Sequence, residues 1–257
     1  MLRGDFVHGE IPFCFFITVS PRRQTSRMKV ALLQHTPDPE RTVALAARLC
    51  YSPADIDELQ ERLTATDTVA FLHKILSLGH HSVLEHASFT FGIDGISRAA
   101  SHQLVRHRIA SYSQQSQRYV SHAQRFASVV PDSITARPEL RERFEIQLQA
   151  LHDCYRELVE AGVPAEDARY ILPNATETKI IVTMNARSQR HFFALRCCRR
   201  AQWEIRAMAV EMLVAVRPVA PALFRDAGPG CLGGPCPEGK FCCGKATEVR
   251  EQFANLT

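Results

Sequence analysis

The chain has 257 residues, 46% of them hydrophobic and 23% charged. These are the proportions of a globular protein with a sizeable core, and they exclude a disordered or fibrous chain. Lysine and arginine number 31 against 27 aspartates and glutamates, a net charge of +4, which suits a protein that handles anionic small molecules but is too slight for a dedicated nucleic-acid binder.

Residues 1–27 combine an apolar run, Ile11 to Val19, with Arg22, Arg23 and Arg27 behind it and Asp5 and Glu10 ahead of it. That is the reverse of a signal peptide's charge order. The segment reads as a dispensable extension, with Met28 as an alternative start. Met28 to Gln34 has the pattern of a first strand. From Pro39 the apolar residues recur at three- and four-residue steps (Val43, Ala46, Leu49), the period of a helix. Ala54–Leu63 and Asp67–Leu78 are two more helices, the second stopped by Gly79. His86–Ile93 alternates and is expected to be a strand. Ser97–His107 is expected to be helical, and Ala110–Val120 a polar loop. Pro138–Ala161 is a long amphipathic helix, and Pro164 opens a short one as its first residue. Lys179–Met184 reads as a buried strand. Asn185 caps a helix running to about Arg200, and Trp203–Val216 is the last long helix, ended by Pro218 and Pro221. The sequence thus predicts an α/β fold, rich in helix, with a small mixed or antiparallel central sheet. Residues 28–227 form one catalytic domain, and 228–257 form a Gly-, Pro- and Cys-rich tail that suits a surface arm on a neighbouring subunit.

Nine cysteines are present, five scattered and four crowded between Cys231 and Cys243. Without a disulfide pattern they read as reduced thiols of a cytoplasmic protein. No apolar run reaches the roughly 18–20 residues that cross a bilayer, so no membrane partner is expected.

The densest polar stretch runs from Gln103 to Tyr119. It holds Arg106, His107, Arg108 and Arg118, Ser111, Ser113 and Ser116, and Gln103, Gln114, Gln115 and Gln117, with no acid at all. Guanidiniums bind phosphate oxygens bidentately, and a Gln amide, both donor and acceptor, can read a pyrimidine edge. An anion pocket is one reading; a solvated basic loop and a nucleic-acid contact are the others.

Arg106-His107-Arg108, seven residues, Ser116, one residue and Arg118 resembles the Arg-His-Arg-x7-Ser-x-Arg signature of the flavin-dependent thymidylate synthases. Three further segments agree in order. Gly79-His80-His81-Ser82-Val83-Leu84-Glu85-His86 is similar to the family's Gly-His-x-Ser/Thr-x-x-Glu-His element. Asn185-Ala186-Arg187, His191 and Arg196 resemble its second ligand-binding segment, and Ala201 to Arg206 the end of that segment. The resemblance spans Met28 to about Phe224.

This resemblance implies the family's fold and its reaction: dTMP made from dUMP, with 5,10-methylenetetrahydrofolate as carbon donor, FAD reduced by NADPH as hydride carrier, and no covalent enzyme nucleophile. By position, Ser82, Arg106, His107, Arg108, Gln114, Asn185, Arg187 and His191 would meet FAD. Gln103, Arg106, Gln114, Gln115, Ser116, Gln117, Arg118, Arg169 and Arg196 would meet dUMP. The resemblance also implies a homotetramer with composite sites. Relatives often carry Glu where this chain has Gln114, which puts any role as a base there in doubt.

Physical reasoning adds roles. On a helix Arg187 and His191 share one face, and Asn185 and Arg196 lie three turns apart on another. Asn185 is a helix cap in any case. Arg196 is the expected catalytic residue, since a guanidinium near the uracil ring favours the ring's anionic form. His81 reads as a structural histidine. For Arg169, behind Glu166 and Asp167, the alternative is a surface ion pair one turn away. Ser116 has no readable His–acid pair to activate it and is assigned to binding.

Gly228-Pro229-Gly230-Cys231-Leu232-Gly233 is a literal G-x-G-x-x-G, but it follows a helix near the chain end, so it is no dinucleotide fingerprint. Cys231, Cys236, Cys242 and Cys243 lack the paired C-x2-C spacing of a zinc site, so no metal is assigned; idle thiols or a facultative disulfide are expected. The alternatives to the enzyme are a nucleic-acid-binding module built on Arg106–Arg118 and a metal-dependent protein built on the tail cysteines.

Overall fold

The computed structural model describes residues 28–64, 68–122 and 126–256. The extension 1–27 and the expected helix start at Asp67 lie outside these.

Phe89, Phe91 and Ile93 alternate with Thr90 and Gly92, and the period of two puts the three apolar side chains on one face of a strand. That strand, β2 (Ser88–Ser97), pairs antiparallel with β1 (Lys29–His35) on one side and with β4 (Glu177–Asn185) on the other. The fourth strand, β3 (Ser111–Gln114), adds to the outer edge of β4, so the order is β1-β2-β4-β3, antiparallel throughout. Phe89, Phe91, Ile93, Ile180, Val182 and Met184 are all at most 2% exposed. The other face carries Thr90 and Thr183, joined hydroxyl to hydroxyl at 2.9 Å, and leaves Ile181 46% and Leu33 56% exposed.

The described helices are α1 (Pro39–Leu49), α2 (Ile56–Thr64), α3 (Thr68–Ser77), α4 (Arg98–Leu104), α5 (Asp132–Thr135), α6 (Pro138–Glu160), α7 (Ala165–Ala168), α8 (Ala186–Arg196), α9 (Trp203–Val216), α10 (Pro221–Phe224) and α11 (Ala246–Ala254). All but α5, α6 and α7, which pack on one another, add residues to the buried cluster on the apolar face. Helix α9 buries Ile205, Met208, Ala209, Met212, Leu213 and Val216. Phe224 of α10 meets Phe89 edge-on at 5.2 Å and Phe193 of α8 at 6.0 Å. None of the described helices is long and apolar enough to cross a membrane.

Several expected elements differ. The polar loop expected at Ala110–Val120 contains β3, an edge strand with one neighbour and little to bury, so it shows no apolar alternation. His81–His86 is a 3-10 turn ahead of β2. The helix expected to reach His107 stops at Leu104, and α8 stops at Arg196 rather than Arg200. Pro164 sits one residue before α7, at the cap position. Pro221, expected as a stop, opens α10. The tail forms α11 and packs on its own chain, with Cys231, Val249 and Phe253 in the buried cluster of the sheet. Arg217 holds it there, donating to the carbonyls of Phe253 (3.1 Å), Leu256 (2.7 Å) and Ala227 (3.2 Å). Those carbonyls lie far along the chain from Arg217, beyond the reach of local sequence pattern.

One buried acid ties these layers together. Glu204, in the first turn of α9 and 3% exposed, accepts the Ser97 backbone N–H and the Ser97 hydroxyl, both at 2.6 Å. Ser97 ends β2 and caps α4, its Oγ accepting the Ala100 N–H at 3.0 Å. Replacing Glu204 by Ala orphans two buried donors, so Glu204→Ala is expected to lower the unfolding free energy by about 3 kcal/mol, read as a shift in the urea midpoint at unchanged slope.

Candidate active site

Strand β4 ends at Asn185, whose side chain accepts the Ser188 N–H at 2.8 Å and starts α8. From this cap the helix presents Arg187, His191 and Leu195 at four-residue steps, with Ser188, Arg190 and Arg196 beside them. Facing them are Arg106, His107, Arg108 and Ile109, on the turn that follows α4, and His81, Leu84 and Glu85 of the 3-10 turn. Together with Asn185 these residues line one open cleft of about 840 Å³, within the usual size of a small-molecule site.

The turn is held from below. The Tyr112 hydroxyl lies 2.9 Å from the Leu104 carbonyl and 2.8 Å from that of His107. Burial pushes its phenol up to about 12, so it stays a donor. At the centre Arg196 donates from Nε to Nε2 of His107 at 2.9 Å. The His107 ring meets Phe192 edge-on at 4.9 Å and His191 at 6.3 Å. Burial, then the Arg196 charge and then His191, pull His107 down to about 4, so at neutral pH it is an uncharged acceptor. Burial also lowers the Arg196 guanidinium from its ordinary value. Arg187 pairs with Glu85, the one acid among the lining residues. Arg190 is engaged bidentately with Asp226, at 2.7 and 3.0 Å, and donates to the Leu223 carbonyl. The remaining lining is rich in cationic and hydrogen-bond-donating groups, matched to phosphate and carbonyl oxygens.

Of the expected flavin residues, Arg106, His107, Arg108, Asn185, Arg187 and His191 line the cleft, and Arg196 of the nucleotide set joins them. All of the α8 residues open on this one cleft, not on two sides of the helix as their spacing suggested. Ser82 is exposed on the 3-10 turn and does not line it. Gln114 faces inward, its amide nitrogen donating to Ser101 Oγ at 2.9 Å and Thr178 Oγ1 at 3.2 Å.

The rest of the nucleotide set is placed elsewhere. Ser116 Oγ accepts the Arg118 N–H at 3.1 Å. The Arg118 guanidinium pairs with Glu166, and Arg169 donates from Nε to the Glu166 carbonyl at 2.9 Å. Glu166 thus holds Arg118 and Arg169 together. The alternative reading for Arg169, a surface ion pair, is met by a main-chain contact instead. Gln103, Gln115 and Gln117 are partly exposed and outside the cleft. The basic run therefore splits between two places, which gives the nucleic-acid-module reading no single face.

The lining residues to which the sequence assigned no ligand are Ile109, Ser188, Arg190 and Leu195, and His81, Leu84 and Glu85 of the Gly79–His86 element. Stepping four residues on from Arg187 and His191 reaches Leu195, and stepping four from His81 reaches Glu85. No local signal marks Ile109.

The family model described as thymidylate synthase complementing protein matches residues 31–222. A flavin-dependent thymidylate synthase of Geobacter sulfurreducens is 70% identical over 231 residues, covering 90% of this chain and 100% of its own. The chain belongs to the flavin-dependent thymidylate synthase family. Another member, from Clostridium tetani, is 48% identical and covers 90% of this chain and 99% of its own. Among solved structures, the UMP/dUMP methylase PolB of Streptomyces cacaoi, bound with 5-Br dUMP, superposes with a TM-score of 0.65 at 23% identity, covering 78% of this chain and 94% of that one. The likeness shows a shared fold. As in other flavin-dependent thymidylate synthases, the cofactor is a flavin.

The His107 assignment has a testable pH signature. Below pH 6.5 the unfolded chain takes up a proton that folded His107 refuses until about pH 4, so stability falls as pH drops through that window. A histidine-resolved NMR titration is expected to show His107 neutral down to about pH 4. His107→Gln, which keeps an acceptor for Arg196, is expected to flatten the corresponding part of the stability profile.

Proposed function

We propose that the chain methylates dUMP to dTMP, with 5,10-methylenetetrahydrofolate as carbon donor and NADPH-reduced FAD as cofactor, in the cytoplasm. The observation that carries this reading is the single cleft in which Arg106, His107 and Arg108 stand opposite Arg187, His191 and Arg196. The cleft's volume and its donor-rich lining fit a dinucleotide flavin. Arg106, Arg108 and Arg187 would hold its phosphates, with His107, Asn185 and His191 beside them and Ser82 at the rim. When bound, the flavin supplies the hydride that completes the methyl group.

Arg196 is the catalytic residue in this reading. Its Nε is fixed by His107, which leaves two terminal amino groups for the nucleotide. A guanidinium held against the uracil carbonyls stabilises negative charge on the ring and so enriches the carbon to be methylated. Neutral His107 orients this group without cancelling its charge. Arg106, Gln103, Gln115, Ser116, Gln117, Arg118 and Arg169 would bind dUMP. Gln114, its amide hydrogens engaged, would contribute its carbonyl oxygen to either ligand.

Because Ser116, Arg118 and Arg169 lie outside the cleft that holds Arg196, the reading places them in a neighbouring subunit's site, within a homotetramer. Two bare aromatic side chains support this. Tyr119 and Tyr170, next in sequence to Arg118 and Arg169, are 79% and 86% exposed, surface that a neighbouring subunit is free to cover.

The test is the visible flavin spectrum of the purified protein before and after dUMP, followed by turnover. A flavin band perturbed by dUMP is expected; a colourless protein that takes up neither ligand would overturn the reading. Arg196→Ala is expected to retain flavin and lose about 100-fold or more in kcat, and turnover like the wild type's would refute the activating role. Removing residues 1–27 is expected to leave flavin content and turnover unchanged, since the whole Geobacter sulfurreducens relative is matched by 90% of this chain.

A further inference from the structure

The cleft holds one acid that the proposed reaction leaves unexplained. Glu85, on the 3-10 turn ahead of β2, reaches across to Arg187 in the first turn of α8. Arg187 Nη1 donates to Glu85 Oε1, and Oε2 has no hydrogen bond among the described residues. The Glu85 and Arg187 side chains are 48% and 54% exposed. An ion pair so open to water adds little to stability, so the fold does not require it. A carboxylate there also offsets the Arg187 charge, which works against holding an anion.

What the carboxylate adds is an acceptor. The lining side chains mostly donate. Asn185 Oδ1 already accepts the Ser188 N–H, and His107 Nε2 accepts from Arg196. The imidazoles of His81 and His191 each offer at most one nitrogen. Glu85 is the one lining carboxylate, and its free oxygen stands beside a guanidinium suited to phosphate. A ribose 5′-phosphate combines both complements in one fragment, with phosphate oxygens that accept and 2′- and 3′-hydroxyls that donate. Carboxylates read ribose hydroxyls in other dinucleotide sites.

Position along the cleft says which ribose. In the proposed reaction Arg196 serves the uracil, so the reacting end of the flavin belongs at the C-terminal end of α8. Arg187 lies nine residues earlier on that helix, about 13 Å back along its axis, at the end whose dipole favours phosphate. The half of the dinucleotide that does not react is the one left for Arg187 and Glu85. We propose that Glu85 is a specificity-determining residue of the flavin site: its carboxylate accepts from the ribose hydroxyls of the adenosine half, while Arg187, paired with it, holds the adjoining phosphate. The inference rests on the flavin reading above and adds a selection to it, for a flavin that carries adenosine over a mononucleotide.

The test uses the full-length, flavin-loaded protein. ADP and 2′,3′-dideoxy-ADP are titrated against it, and displaced flavin is read by its fluorescence. ADP is expected to compete about tenfold better or more, the scale of a hydrogen bond to a charged group. In Glu85→Ala that preference is expected to vanish, and in Glu85→Gln to shrink. The readout is the ratio of two ligands on one protein, so a general change in affinity from the freed Arg187 cancels. Equal competition by the two nucleotides on the wild type, or a preference that survives Glu85→Ala, overturns the role of Glu85 and leaves the flavin reading standing. A wild-type protein that takes up no flavin overturns both. The wild-type comparison needs no variant, so a variant that fails to fold does not remove the test.

Discussion

The carboxylate of Glu204 decides where the signature segment lies. It sits in the first turn of α9 and binds both the backbone and the hydroxyl of Ser97, the residue at which β2 becomes α4. Helix α4 is only seven residues long, too short to be stable by itself. Its direction comes from its two ends: Ser97 anchored on α9 at one, and Tyr112 gathering the Leu104 and His107 carbonyls at the other. Gln114 adds a third tie by donating to Ser101 within α4. The turn carrying Arg106, His107 and Arg108 is therefore set by contacts that never reach the cleft. A buried acid with two short hydrogen bonds is costly to remove because its partners cannot turn to water.

The opposite wall is built by the same logic. Asn185 closes β4 and opens α8, so the sheet register fixes where the helix begins. Pairing of Ser88 with Asn185 across β2 and β4 then places the 3-10 turn before β2 next to the first turn of α8. This is why Glu85 finds Arg187, 102 residues away. The two walls meet at His107, which accepts from Arg196 and rests edge-on against Phe192.

The sequence made some of this visible and hid the rest for physical reasons. The periodic segments were readable: α1 and α9 have apolar faces against the core, and the cap at Asn185 is local chemistry. The motif residues were readable as a set through their spacing. Strand β3 was not, because an edge strand with serines outward buries one side chain in two and shows no apolar alternation. Helix α11 was masked by the Gly- and Pro-rich stretch before it; its two buried residues, Val249 and Phe253, are one turn apart and form too small a stripe to stand out. The roles of Gln114 and Glu166 depend on partners more than 40 residues away, Thr178 for one and Arg118 for the other. No local pattern encodes such pairings.

The distribution of charge in the cleft constrains its chemistry further. Its one acid, Glu85, is paired with Arg187, and Nε2 of His107 accepts from Arg196, so neither is free to take a proton from a ligand at neutral pH. Outside the cleft, Ser116 accepts a backbone N–H and has no imidazole–carboxylate pair to activate it. With Glu85 and His107 both engaged and Ser116 unactivated, these groups act by holding and polarising the ligands. Arg196 is suited to that role, because its burial makes its charge felt at low dielectric and His107 holds it without neutralising it. A charged partner in place of His107 would weaken that field, whether an acid that cancels it or a protonated imidazole that repels the guanidinium out of position. Keeping His107 neutral down to about pH 4 preserves both the orientation and the charge of Arg196 across the physiological range.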